Sequence, residues 1–228
     1  MPELEFVETP VGMIYIGTRR VGQNVWARMV EAVLPNLQQV APIWETGHQE
    51  HAFSGPMLSR WVVPQDDTNT MYYELRHVSQ TEGVTPPWWG DRTNMVPGGQ
   101  LPAASYEAGQ RQPGDYEAQV SQRPIAIHGL EHIGATDRGV MMFRTQTRRG
   151  IRAVQAGRDP AGLCRDAGIV IPTYCNDTVV RMPPDGDPAI DRQRMRETGR
   201  RLAEGYLRNP PLLTNARRPS ELSASTAR

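Results

Sequence analysis

Cysteine is scarce: the 228-residue chain has two, Cys164 and Cys175. They lie too far apart for a CxxC pair, and a four-thiolate metal site is excluded. A single disulfide between them is open, but reduced, buried thiols of a cytoplasmic protein are the expectation. Long apolar runs are also missing. No stretch approaches the roughly 20 apolar residues of a membrane span, and the opening "MPELEFVETP" lacks the apolar core of a secretion signal. Neither sign of charge dominates, with 25 basic against 25 acidic residues. That balance argues against a protein that holds nucleic acid by electrostatics. Phenylalanine occurs only three times, whereas there are 20 prolines and 21 glycines, a mix that points to much loop.

What is present falls into a strand-rich front and a helical back. "LEFVET" and "GMIYIGTRR" read as strands separated by the turn "PVG". "VWARMVEAVLPNLQQVAPIW" has helical length, but Pro35 sits in its middle, so two strands or one bent strand are predicted. A hairpin is expected with Arg60 to Val63 as one arm, "PQDDTNT" as the turn and Met71 to Val78 as the other arm. Residues 79–113 read as a long polar loop holding the pair Trp88-Trp89, in the manner of a lid or an excursion toward a partner. Behind it, residues 114–122 start a short helix with Asp115 near its cap. Val140, Phe143, Thr147, Ile151 and Val154 then recur at spacings of 3, 4, 4 and 3 along one face of a helix. It is capped at Thr136 or Asp137 and closed by Gly157. Arg144, Arg148, Arg149 and Arg152 occupy the other face. "AGIVIPTYCNDTVVRMP" offers one further strand, and Asp187-Pro188 opens a last helix. The tail from residue 209 reads as frayed, and no internal repeat is visible. The predicted class is α+β, an antiparallel sheet covered by helices.

Candidate chemistry is sparse. His48 and His51, around Glu50, could share a helical turn and a metal, but Gly47 and Ser54-Gly55-Pro56 make a loop the simpler reading. His128 and His132 flank Glu131 four apart, yet a zinc-protease helix needs Glu directly after the first His, where Gly129 stands. Capping of the long helix is the plainer role for them. Asp66 and Asp67 lie in a hairpin turn, where such side chains satisfy local backbone donors. Asp115 is, on composition, an acidic residue at a positive helix end. Whether it is a solvated helix residue or one arm of a metal site stays open at this level.

The ordered segment "DYEAQVSQRPIAIHGLEHIGATDRGVMMFR" resembles the C-terminal catalytic domain of the large (alpha) subunit of Rieske-type aromatic ring-hydroxylating oxygenases. The similarity is to the phthalate dioxygenase and dehydrodivanillate O-demethylase branch. In that pattern an Asp opens a helix, "QVSQRPI" follows, and "EHIGATDRGV" leads into an arginine-rich helix. "ETPVGMIYIGTRR", "VLPN" and "RWVVPQDDTNT" resemble the early strands and hairpin. The resemblance implies a helix-grip (START/Bet v1-like) fold over residues 1–208, with 209–228 as a flexible tail. It also implies a mononuclear non-haem Fe(II), held by two histidines and a carboxylate that matches Asp115. O2 and an aromatic acid would meet there for ring hydroxylation or O-demethylation. Electrons would come from a [2Fe–2S] Rieske domain, usually of the neighbouring subunit in a trimer-type ring, itself served by a reductase or ferredoxin.

The chain departs from this pattern in lacking the cluster ligands and the family's histidine pair. One iron ligand of three is therefore expected here, and the chain alone is expected to be inactive. On the alternating face of the sheet Trp26, Arg28 and Tyr73 are candidates to line a substrate pocket, with Arg28 facing a substrate carboxylate. The rival reading is a non-enzymatic small-molecule-binding module on the same fold, since fold does not fix function.

Overall fold

A computed structural model describes residues 2–42, 50–77, 102–166, 168 and 170–211. His48, Trp88, Trp89 and the tail beyond 211 lie outside them. The chain divides into two compact units, one of Met1–Val63, Tyr72–His77 and Ile133–Arg228, the other of Pro64–Met71 and Val78–His132.

The larger unit is built on an antiparallel sheet. Strands β1 (Glu3–Thr9), β2 (Gly12–Val21) and β3 (Asn24–Val33) form a meander. Pro35 falls in the turn after β3, and β4 (Leu37–Val40) folds back on Glu31 to Val33. β4 continues to β6 (Leu58–Pro64), which pairs with β7 (Thr70–Arg76), the expected hairpin. The rest of the β3 edge, Asn24 to Met29, is taken by β8 (Asn176–Arg181). β5 (His51–Ser54) pairs on the far side of β8.

Alternation assigns the two faces of this sheet. One carries Ile14, Ile16, Ala27 and Met29, at most 1% exposed, and receives helix α4 (Pro188–Arg208). As predicted, the Asp187 carboxylate caps α4 by accepting from the Ala189 amide, with Pro188 at its start. Met195, Thr198, Gly199 and Ala203 form its buried stripe. Tyr206 adds a hydroxyl contact to Thr178 at 2.7 Å. Arg196 pairs with Glu3 at 2.7 Å and Arg200 with Glu5 at 2.9 Å, tying the helix to β1.

The opposite face carries Phe6, Met13, Tyr15, Gly17, Arg28 and Trp26, and receives α3 (Arg138–Gln155). Gly139 makes the close approach: a Cβ there would lie 2.3 Å from the Phe6 ring and 3.2 Å from Met13. Gln146 follows two turns later, donating to the Gly12 carbonyl at 2.7 Å and to Glu8 at 3.1 Å. The expected apolar stripe of α3 is covered only in its middle, where Phe143 and Thr147 are half-buried. Val140, Ile151 and Val154 are 47%, 53% and 61% exposed, because the glycine and the glutamine bring the neighbouring side of the helix inward. Gly157, at φ +68°, closes the helix as predicted.

In the smaller unit, the segment expected as loop up to residue 113 contains α1 (Tyr106–Arg111), capped by Ser105. α2 (Asp115–Val120) follows. Asp66 behaves as its turn position suggests. Its carboxylate accepts from the Thr68 and Asn69 amides, both at 2.8 Å, and those bonds hold its pKa at about 2. Both cysteines are free thiols, Cys175 buried but Cys164 exposed, which corrects the expectation that both are buried. Among the described residues no helix is long and apolar enough to cross a membrane.

Candidate functional site

A cavity of about 350 Å³ opens on the α3 face of the sheet. Leu4, Phe6, Tyr15 and Gly17 give it an apolar wall, and Arg19 and Arg28 supply two guanidinium groups. Thr136, in the 3-10 turn that leads into α3, closes one side. The size is that of a small-molecule site, and the ring-lined wall with two cations suits an apolar anion.

Arg28 is positioned from both directions. Its Nε donates to the Pro42 carbonyl at 3.2 Å and Nη2 to the Ala41 carbonyl at 2.8 Å, which fixes the side chain against the end of β4. Across the ladder it lies opposite Asp177 of β8. Trp26, two residues earlier on the same face, is buried beneath the Arg19 guanidinium, 5.2 Å from the ring centre. Tyr73 is elsewhere: it lies on β7, 59% exposed, and does not line this cavity.

Beside Arg28 stands a pair the sequence did not reveal. Asp177 is buried, and its Oδ2 contacts His51 Nε2 at 3.1 Å. Oδ1 has no hydrogen-bond partner among the described residues. The two residues are 126 positions apart, and only the pairing of β5 with β8 brings them together. His51 thus opens a strand instead of lying in a loop.

Asp115 belongs to the smaller unit, as the first residue of α2, and is exposed. Glu117 performs the reach-back across the helix start, accepting from the Gly114 amide at 2.9 Å and the Ala103 amide at 3.0 Å. These bonds, Gly114 first, pull its pKa down. His128 sits in a 3-10 turn and His132 follows it, both exposed. At the start of α3 the Gly134 amide is satisfied by Asp137 at 2.8 Å. Among the described residues no three His, Cys, Asp or Glu side chains gather as a metal-binding group. The donor set therefore does not fit a complete ferrous site, and Asp115 can be at most one member of one.

No protein-family model matches the chain. It is 39% identical over 181 residues to the tert-butanol monooxygenase / tert-amyl alcohol desaturase oxygenase subunit of Aquincola tertiaricarbonis, covering 75% of this chain and 37% of that protein. It is 28% identical over 165 residues to the phenoxybenzoate dioxygenase subunit alpha of Ectopseudomonas oleovorans, covering 72% of this chain and 37% of that protein. Both relatives are oxygenase subunits. The chain spans a little over a third of the length of each. The matched stretch, about three quarters of the chain, is thus similar to oxygenase subunits.

Proposed function

We propose that this chain is a catalytic-domain portion of a Rieske non-haem iron oxygenase that acts on an aromatic acid by ring hydroxylation or O-demethylation. The single observation that carries the reading is the similarity of three quarters of the chain to oxygenase subunits. Asp115 is proposed as the carboxylate of the two-His, one-carboxylate iron triad, on the motif "DYEAQVSQRP" that it opens. The remaining ligands must come from outside the described residues, and so must the [2Fe–2S] cluster, its domain or neighbouring subunit, and the reductase or ferredoxin.

What this chain's own residues do is bind and orient. The apolar wall of Leu4, Phe6 and Tyr15 accepts an aromatic ring, and Arg28, already braced on two carbonyls, meets a carboxylate at the other end. The name of the phenoxybenzoate relative agrees with an aromatic acid. The tertiary alcohol named for the more identical relative favours a second reading, a small neutral alcohol. Arg28 separates the two. For an acid, Arg28→Gln raises KM by about tenfold or more, and for a neutral alcohol it does not.

The decisive experiment uses the assembled oxygenase. Asp115→Ala is expected to abolish iron-dependent turnover and to empty the mononuclear site while leaving the Rieske absorbance intact. Unchanged iron content and unchanged rate would sink the assignment.

A further inference from the structure

A second depression lies on the α3 side of the sheet, at the end where β1 turns into β2. It shares no lining residue with the cavity around Arg28. Two lobes of about 490 Å³ and 530 Å³ meet at Leu34, Gln146 and Gly150. Each lobe is the size of a small-molecule site.

The first lobe is apolar. Ile151, Val154 and Leu163 border it and are 53%, 61% and 48% exposed. Three large aliphatic side chains left in water along one trough form a surface that gains by being covered.

The second lobe is cationic, with Arg149, Arg152 and Arg158 in its wall. The two carboxylates beside them are already engaged. Glu8 accepts from Arg149 at 2.9 Å and from Gln146 at 3.1 Å. Asp159 is held by Arg165 through two bonds of 2.8 Å and 2.7 Å, which pull its pKa down. Arg152 and Arg158 have no anionic partner among the described residues. The Thr9 hydroxyl in the same wall is buried and likewise lacks a hydrogen-bond partner among the described residues, a condition that a bound oxyanion would relieve.

We propose that this trough is a binding site for a small amphiphilic carboxylate. The apolar chain or ring lies on Ile151, Val154 and Leu163, and the carboxylate meets Arg152 and Arg158. The pairing of an apolar lobe with a cationic lobe selects such a ligand over either half alone. An alkane or alcohol leaves the guanidinium groups without a counter-charge, and a bare anion leaves the aliphatic trough wet.

The test is an amide NMR titration of the 228-residue chain with octanoate, 1-octanol, acetate and inorganic phosphate. Octanoate is expected to saturate shifts confined to the wall of the trough, residues 8, 9, 34 and 146–163, with octanol, acetate and phosphate each weaker by about tenfold or more. The double variant Arg152→Gln/Arg158→Gln, both exposed positions, is expected to keep the wild-type melting temperature and lose about tenfold in octanoate affinity. Octanol binding as tightly as octanoate would reduce the site to an apolar patch. Phosphate binding as tightly would reduce it to an arginine patch. Either result, or saturable shifts elsewhere in the chain, overturns the proposal.

Discussion

Glu31 is the residue whose surroundings ask most of it. It is fully buried in β3, accepting from the Tyr174 amide at 2.9 Å and the Thr173 hydroxyl at 3.2 Å, and its Oε1 has no partner among the described residues. Desolvation outweighs these bonds and raises its pKa above the ordinary 4.5. A carboxyl whose folded pKa lies above its unfolded one binds its proton more tightly in the native state. The stability it contributes is therefore complete at low pH and is lost as pH rises from 4.5 through the raised value. Glu31→Gln keeps an acceptor for the Tyr174 amide and removes the titration. Urea denaturation between about pH 5 and 8 is expected to give the variant a shallower fall of stability with pH than the wild type. Equal slopes would refute the assignment. Glu31→Leu strands the Tyr174 amide and is expected to cost about 1–3 kcal/mol. The neighbouring Cys175 thiol is pushed well above its ordinary pKa, by burial first and the Glu31 charge second, so it is a poor nucleophile.

At the scale of elements, α4 and α3 grip the sheet by different means. α4 uses aliphatic burial and one close approach: a Cβ at Gly199 would stand 2.6 Å from Thr18 Cγ2 and 3.0 Å from Ile16 Cγ2. Gly199→Ala is thus expected to destabilise the fold by about 1–3 kcal/mol despite its better helix propensity. A denaturation midpoint equal to the wild type would show that the helix shifts to make room. Both helices were legible in the sequence, α4 from Asp187-Pro188 and α3 from its spacing and Gly157. The inward side of α3 was not, because a glycine and a glutamine carry no hydrophobic signal and are recognised only against Phe6 and the Gly12 carbonyl. The break at Pro35 could be read locally. The choice of β8 as partner for β3 could not, since strand pairing is settled by the whole sheet. The His51–Asp177 contact depends on that choice and was hidden with it. Asp115 is a different case: its helix was visible in the chain, but an iron-binding role entered only through resemblance to the oxygenase pattern.

For the whole molecule, the ligand count sets the expectation. With no three-donor metal group among the described residues, the purified chain is expected to carry iron far below one equivalent by plasma emission analysis. Addition of a polypeptide that supplies two histidine ligands should raise it. Stoichiometric iron in this chain alone would contradict the one-ligand reading. Iron that stays absent from the assembled complex would favour the rival, a binding module that uses the Arg28 cavity without redox chemistry.

The split edge of β3 has one more consequence. During synthesis on the ribosome, Met29 emerges long before Asn176, its partner on β8. Until then half of a central strand offers bare amides and carbonyls to any extended peptide nearby. Truncated translation products that stop short of β8 should therefore be captured by chaperones or precipitate, whereas the finished polypeptide seals that seam itself.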